Sequence, residues 1–450
     1  MLYWLISILG IILTIFLVVG VHEFGHFLIA RLVGVKVLRF SIGFGKALFR
    51  LHDKKGTEYV IAAIPLGGYV KMVDETEEEV AKKDLPFAYN RQPFWKKLAI
   101  VAAGPFFNLL FAFLIYCSLF LIGFIGIVPI IGQIKPDSIA AEAHVKPNQE
   151  IIRINDEKTP TWTSIIVSLL QNVGDKTEIT LTTKELNSAK NNQYQLNLAH
   201  WKVDNLKPDP LDSLGIVPYE PKIPAMVGKI SRHSTAQNLL KTNDKILAVN
   251  NQKIIDWYDL QEIIDKNPLK KLDFKILRDK KIMVIPIPVG SQRDLLFHQH
   301  GYIGFSPQFE WPKMLLRAQK YNLSGSISHA WYEIKIFTYL NFLVIGKLLT
   351  GKISFSSLGG PITIFESAGV ALNHGFVQFF SFIAFLSISI GLINILPIPG
   401  LDGGHILFQL IEVIIRRPVP LRFQILFYRL GFIFLLLLIT QALINDLQRL

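Results

Sequence analysis

The chain has 450 residues, of which 50% are hydrophobic and only 18% are charged. Soluble proteins carry nearer a quarter charged residues, so stretches long enough to cross a bilayer best explain this composition. The net charge is +12, yet no basic run is interleaved with aromatics in a recognisable module, which argues against a nucleic-acid partner. This excess of positive charge is typical of basic cytoplasmic loops and of contact with anionic lipid. A single cysteine, Cys117, excludes disulfides within the chain.

Four apolar stretches are predicted to cross a membrane. The first covers residues 2–21 and continues through Ala30, with no basic residue before Arg31 and no small-residue cleavage site. It is therefore interpreted as a retained helix rather than a signal peptide. The other three are predicted at about Leu98 to Val128, Phe376 to Leu396 and Phe423 to Ile444.

A shorter apolar piece, Ile336 to Leu349, is interrupted by Lys347. Its length favours a helix at the membrane surface. Basic residues set the orientation, because they concentrate in short cytoplasmic loops. The link between spans one and two is rich in Lys and Arg, and the link between spans three and four contains Arg416, Arg417 and Arg422. Both links are predicted to be cytoplasmic, which leaves the long segment 130–375 and both termini outside.

The outside segment contains an internal repeat. Lys146 to Asn155 resembles Lys241 to Asn250, and the same offset relates Trp162 to Trp257. Each tryptophan is followed by a helical pattern and then a strand pattern, which predicts two small tandem domains. The link 35–72 instead favours strands at 35–42, 58–64 and 69–72, separated by glycines.

The motif His22-Glu23-x-x-His26 carries the clearest chemistry. Residues four apart lie on one face of a helix, so both imidazoles reach one Zn²⁺. Glu23 projects beside them as a general base that takes a proton from water and passes it to the leaving amine. Placing ionisable groups within a membrane costs free energy. This favours a catalytic metal site over a cluster of polar residues at the membrane surface.

The third zinc ligand is predicted to be Asp402, in the segment from Asn394 to Gly404. Its prolines and glycines cannot continue a helix, and broken backbone at membrane depth occurs where it lines a cavity. Spans one and three run in the same direction, so Asp402 and the histidines reach the same cytoplasmic end. His405 is a rival ligand, and Asp402 is favoured because it lies nearer the end of the proline-broken segment.

These motifs together resemble the site-2 protease family of intramembrane metalloproteases. Further matching segments are residues 40–45, 65–72, 103–108 and 359–362. Gly104, Pro105 and Asn108 in the third of these are equally compatible with simple helix packing and a satisfied polar contact.

The resemblance implies a fold and a substrate class. The fold is a polytopic α-helical membrane protein with four spans, a membrane re-entrant β-hairpin and two tandem PDZ-like α+β domains outside. Substrates are single-span membrane proteins, such as anti-sigma factors in a stress response, and remnant signal peptides. Gly67, Gly68, Tyr69 and Val70 would pair with an unwound substrate, and Asn394 would contact it. The PDZ-like domains would either bind peptide C-termini or exclude bulky substrates.

The predicted location is the bacterial inner membrane, with periplasmic PDZ-like domains, a cytoplasm-facing site, lipid contact and a monomeric chain.

A catalytically inert scaffold and a transporter are the competing functions. A scaffold has no need of the four site residues, and a transporter usually has two related membrane halves. The predicted divisions are 1–34 (first span), 35–96 (β region and loop), 97–127 (second span), 128–220 and 221–310 (PDZ-like domains), 311–375 (interfacial helices), 376–405 (third span) and 406–450 (fourth span).

Overall fold

The computed structural model describes residues 2–449 apart from 77–78, 175–177, 187, 189, 200, 204–208, 233, 294–298 and 418. Within these residues, four helices are long and apolar enough to cross a membrane, which confirms the four predicted spans. They are α1 (Leu2–Leu32), α2 (Phe94–Ile122), α9 (Phe376–Ile395) and α11 (Leu421–Arg449).

The second span ends earlier than the sequence predicted. Gly123 follows α2 with a φ of +86°, a conformation that ends the helix. The next residues form strand β3 (Phe124–Ile127), which pairs with β18 (Leu316–Gln319). An apolar strand directly after a span has the same composition as the span itself, so sequence alone predicts one continuous helix over both.

Helix α7 (Leu323–Leu349) is longer than the predicted segment Ile336 to Leu349. Its buried Ala330 and Ile334 pack in the hydrophobic core between the spanning helices, together with Tyr116 and Phe120 of α2. Helix α8 (Pro361–His374) packs against the first part of α1. Small residues permit this approach, since a Cβ on Gly10 would lie 2.9 Å from the Ala368 carbonyl oxygen.

The third span is not continuous with the segment that contains Asp402. Helix α9 ends at Ile395, and a new helix, α10 (Asp402–Ile415), begins after a turn that contains Pro397 and Pro399. The predicted unit 376–405 is therefore divided in two. Gly403 allows the sharp reversal, because a Cβ there would lie 2.1 Å from the Leu396 carbonyl oxygen.

The link after α1 forms one small sheet from strands β1 (Val37–His52) and β2 (Glu58–Met72). Both strands bend at glycines, so Ser41 pairs with Tyr69 on one side and faces Val60 on the other. The segments lie in the order 68–72, 37–42, 58–62 and 47–52. All three predicted strands are present, and residues 68–72 lie at one edge.

The two predicted repeats have the same topology. The elements of the first are β4 (Ile131–Ile134), α3 (Ile139–Glu142), β5 (Gln149–Ile154), β6 (Glu157–Lys158), α4 (Trp162–Gln171), β7 (Glu178–Glu185), β8 (Asn191–Asn197), α5 (Pro210–Leu214) and β9 (Ile216–Pro218). They form a four-stranded sheet in the order β6-β5-β7-β8 and a strand pair β4-β9.

The second repeat has the corresponding sheet order β12-β11-β13-β14 and the strand pair β10-β17, with a further pair β15-β16. Its elements are β10 (Val227–Ile230), β11 (Lys245–Val249), β12 (Gln252–Lys253), α6 (Trp257–Asp265), β13 (Lys271–Arg278), β14 (Lys281–Pro288), β15 (Gly290–Arg293), β16 (Gln299–Tyr302) and β17 (Phe305–Pro307). Each repeat has its own hydrophobic core, so each forms a separate module.

Candidate metal centre

The two histidines of the motif lie one turn apart on α1 and point toward α2. Both are nearly buried, with 9% of His22 and 8% of His26 exposed. Their Nε2 atoms are 3.2 Å apart. The i, i+4 spacing on a continuous helix therefore brings two imidazole nitrogens to one point, as predicted.

Asp402 completes a triangle with them. Its Oδ2 lies 3.1 Å from His22 Nε2 and 3.4 Å from His26 Nε2. Four-coordinate zinc with ligand atoms at about 2.0–2.2 Å holds those atoms roughly 3.3–3.5 Å apart. The buried Asp402 Oδ2 has no hydrogen bond of acceptable geometry among the described residues. A buried oxygen without a hydrogen bond is costly unless a ligand binds it. Asp402 Oδ2 and the two histidine Nε2 atoms therefore form a donor set that fits a zinc ion.

A backbone carbonyl of α2 orients His26. The imidazole Nδ1 donates a hydrogen bond of 2.8 Å to the Ile100 carbonyl oxygen. A proton on Nδ1 leaves the Nε2 lone pair free for a metal, which is the usual way in which an outer partner fixes a histidine ligand.

Asn108, also on α2, contacts the other histidine ligand, His22. Its Nδ2 lies 3.3 Å from His22 Nδ1, while its fully buried Oδ1 has no partner among the described residues. With the amide turned by half a rotation, Oδ1 accepts from the Nδ1–H of His22. His22 Nε2 is then unprotonated on the metal side.

Gly104 allows α2 to pass directly beneath the two imidazoles. A Cβ at this position would lie 2.3 Å from His26 Nε2 and 2.8 Å from His22 Cε1. Gly25 on α1 makes the matching approach, because its Cβ would lie 2.6 Å from the Ala103 carbonyl oxygen. Gly104 and Asn108 thus touch the candidate ligands. The sequence pointed to them only through the family resemblance of segment 103–108, which did not separate a role at the metal from helix packing.

Glu23 lies beside this triangle in a cavity of about 980 Å³. The backbone of Gly68 approaches it closely, since a Cβ there would lie 2.7 Å from Glu23 Cγ. The same cavity is lined by the residues predicted to contact substrate, namely Gly67, Gly68, Tyr69, Val70 and Asn394. The structure therefore places every predicted site residue around one cavity.

His405, the rival ligand, lines the cavity without joining the triangle. Its Nδ1 lies 3.0 Å from the hydroxyl oxygen of Tyr428 on α11. Tyr89 also lines the cavity and accepts a hydrogen bond from Gln409 of α10. Burial raises the pKa of the Tyr89 phenol well above its usual value, so the hydroxyl stays neutral. No sequence pattern singled out Tyr89 or Tyr428.

Comparison with known proteins gives a consistent result over the whole chain. The sequence profile of Peptidase family M50 matches residues 10–438. The chain is 38% identical over 452 aligned positions to the regulator of sigma-E protease RseP of Escherichia coli (strain K12), with 100% of both chains covered. It is 37% identical over 446 to RseP of Salmonella typhimurium (strain 14028s / SGSC 2262), with 99% of both covered. A Vibrio cholerae relative, 35% identical over 447 with 99% of both covered, is named as a candidate zinc metalloprotease.

Proposed function

Because the chain belongs to peptidase family M50 and is a zinc metalloprotease of the site-2 protease family, which acts in regulated intramembrane proteolysis, we propose that it hydrolyses peptide bonds within the spanning segments of single-span membrane proteins. The triangle of His22, His26 and Asp402 carries the proposal, because its sides of 3.1, 3.2 and 3.4 Å match a zinc site.

The roles follow from position. His22, His26 and Asp402 would hold the ion, and Glu23 is the general base beside them. When bound, zinc supplies a Lewis acid that polarises the peptide carbonyl and acidifies water. Glu23 takes a proton from the attacking water and delivers it to the leaving amine. No side chain forms a covalent bond to the substrate.

The edge of the small sheet gives a way to hold an unwound substrate. Segment 68–72 pairs with β1 through Ser41 and Phe40, which leaves its other edge directed away from that strand. Tyr69 and Val70 of this segment line the cavity. An extended chain added there would be bound through its main chain, with little demand on sequence. Asn394 would contact the substrate from α9, and strands β1 and β2 would form the re-entrant hairpin.

The basic links argue for an orientation in which the metal centre is near the cytoplasm and the two modules are periplasmic, in a bacterial inner membrane. The shared topology of the modules supports tandem PDZ-like domains that restrict which substrates enter, by bulk or by binding peptide ends. Two of the relatives are named as regulators of sigma-E protease. Anti-sigma-factor-type proteins and remnant signal peptides are therefore the proposed substrates of a monomeric enzyme.

The test is cleavage of a tagged single-span substrate in membranes by the full chain and by Glu23→Gln. Removal of the general base should lower the rate by about 10²–10⁴-fold, with zinc content unchanged. Glu366→Gln alters an exposed glutamate on α8 outside the cavity and should cleave normally. Cleavage by Glu23→Gln at the wild-type rate would refute the assignment.

A further inference from the structure

A second, smaller pocket lies between the first turn of α2 and the last turn of α10. Its volume is about 310 Å³. We call it the basic pocket, because three of its lining residues are cationic. The lining residues are Phe94, Lys97, Gln409, Glu412, Val413, Arg416 and Arg417.

The cations of the basic pocket lack counter-ions in the part of the chain that the structure describes. Among the described residues, Lys97, Arg416 and Arg417 form no ion pair. The one carboxylate in the lining, Glu412, accepts a hydrogen bond of 3.1 Å from the Val419 backbone amide. Three cations against one carboxylate leave two uncompensated positive charges, a composition that favours an anionic ligand.

The surroundings place this pocket at the level of lipid headgroups. Trp95, next to the pocket residue Phe94, is 59% exposed at the start of α2, and Lys96 lies over its ring. Tryptophan at the end of a span is typical of the membrane–water interface. The neighbouring span α11 begins close by in sequence, at Leu421. Basic pockets between helices on the cytoplasmic side suit anionic headgroups.

We propose that the basic pocket binds the phosphate group of an anionic glycerophospholipid. Arg416 and Arg417 offer planar guanidinium groups that bind phosphate oxygens in pairs, and Lys97 adds a point charge from the opposite helix. Phe94 and Val413 supply apolar surface for the first part of an acyl chain. This proposal goes beyond proteolysis and does not depend on it.

Binding there would join α2 and α10, two of the three helices around the metal centre. Lys97 is one turn before Ile100, which holds His26, and α10 carries Asp402 at its opposite end. Lys97 on α2 and the two arginines after α10 line the same pocket, and like charges across it disfavour close approach of the helices. A phosphate between them replaces repulsion with attraction to both helices. Anionic lipid should therefore raise the thermal stability of the folded chain.

The experiment titrates the purified full chain in neutral detergent with phosphatidylglycerol, phosphatidylcholine or inorganic phosphate. Retained lipid is counted by native mass spectrometry, and the unfolding midpoint is measured in parallel. The variant Lys97→Gln/Arg416→Gln/Arg417→Gln is compared with Lys55→Gln/Lys82→Gln/Lys83→Gln. The control removes the same charge from exposed positions outside the pocket.

Wild type and control should bind phosphatidylglycerol selectively and gain stability from it. Each basic residue near a surface strengthens binding roughly fivefold, so the triple variant should bind on the order of 100-fold more weakly. If the triple variant does not fold, Arg417→Gln alone, at an exposed side chain, should weaken binding roughly fivefold. An equal loss in the control, or equal binding of phosphatidylcholine, would overturn the proposal. Equal stabilisation by inorganic phosphate would show that the pocket binds free phosphate and would refute a lipid as the source of the phosphate group.

Discussion

Two carboxylates in the membrane region, each with a buried oxygen, have different surroundings. Asp402 begins α10, and its Oδ2 faces two imidazoles without a hydrogen bond of acceptable geometry. Asp446, near the end of α11, is 2% exposed and accepts from the backbone amides of Gly360, Ile362 and Thr363 and from the Thr363 hydroxyl. Burial alone therefore does not mark a functional acid. An oxygen without a hydrogen bond, placed beside two ligand nitrogens, does, because a bound cation would balance its cost.

The satisfied carboxylate has a structural role. Asp446 caps the first turn of α8, where its charge also interacts favourably with the helix dipole. The adjacent Asn445 donates to the Phe355 and Leu358 carbonyl oxygens. Together they hold α11 to the segment before α8, and α8 packs on α1. The comparison predicts that substitutions at Asp402 affect metal binding, whereas those at Asp446 affect stability.

The largest expected effect is on zinc affinity in Asp402→Ala. Loss of one of three protein ligands should weaken zinc binding by more than about 100-fold, since even outer partners contribute 10–100-fold. Bound zinc is measured by mass spectrometry against a competing chelator. His405→Ala is the matched control, because His405 lines the same cavity but pairs with Tyr428. Zinc loss in His405→Ala with retention in Asp402→Ala would reverse the ligand assignment.

Gly104→Ala should have the next largest effect. The added methyl would lie 2.3 Å from His26 Nε2, so either α2 or the imidazole must move. A displacement of about 1 Å at a reacting group costs on the order of 100-fold in rate. Cleavage and zinc affinity are both measured. Gly346→Ala on α7 is the control, since nothing lies within 4 Å of its Cβ. Wild-type zinc affinity in Gly104→Ala would show that the helices tolerate a wider separation.

Asp446→Ala should reduce stability and spare the metal centre. Four hydrogen bonds to a buried carboxylate are lost, for an expected cost of about 3 kcal/mol. The unfolding midpoint should fall, and amide exchange at residues 360–363 should accelerate, while zinc affinity stays at the wild-type value. Asp446→Asn keeps one acceptor oxygen and should recover part of the stability. Asp156→Ala, at an exposed carboxylate in the first module, is the control. A selective loss of zinc in Asp446→Ala would contradict a purely structural role for this carboxylate.

Sequence patterns predicted the parts of this site that depend on local geometry. His22 and His26 follow from the helical period, and Asp402 from prolines and glycines that stop a helix. The repeat was predicted because matching residues recur at a constant offset. Gly104 and Asn108 were not assigned, because the depth at which α1 crosses α2 has no local signature. Asp446 was missed for a related reason, since its donors are backbone groups of a segment distant in the chain.

Asn108→Ala should have the smallest effect of the four and separates orientation from packing. If Asn108 accepts from His22 Nδ1–H, its loss should weaken zinc binding by about 10–100-fold with little change in unfolding midpoint. Asn108→Asp retains an acceptor and should recover most of the affinity. Asn341→Ala removes an asparagine of α7 that donates to the Phe337 carbonyl oxygen of the same helix, and this variant should bind zinc normally. A lower unfolding midpoint with unchanged zinc affinity would instead show that Asn108 is a packing residue. Its role would then be structural, as that of Asp446 is.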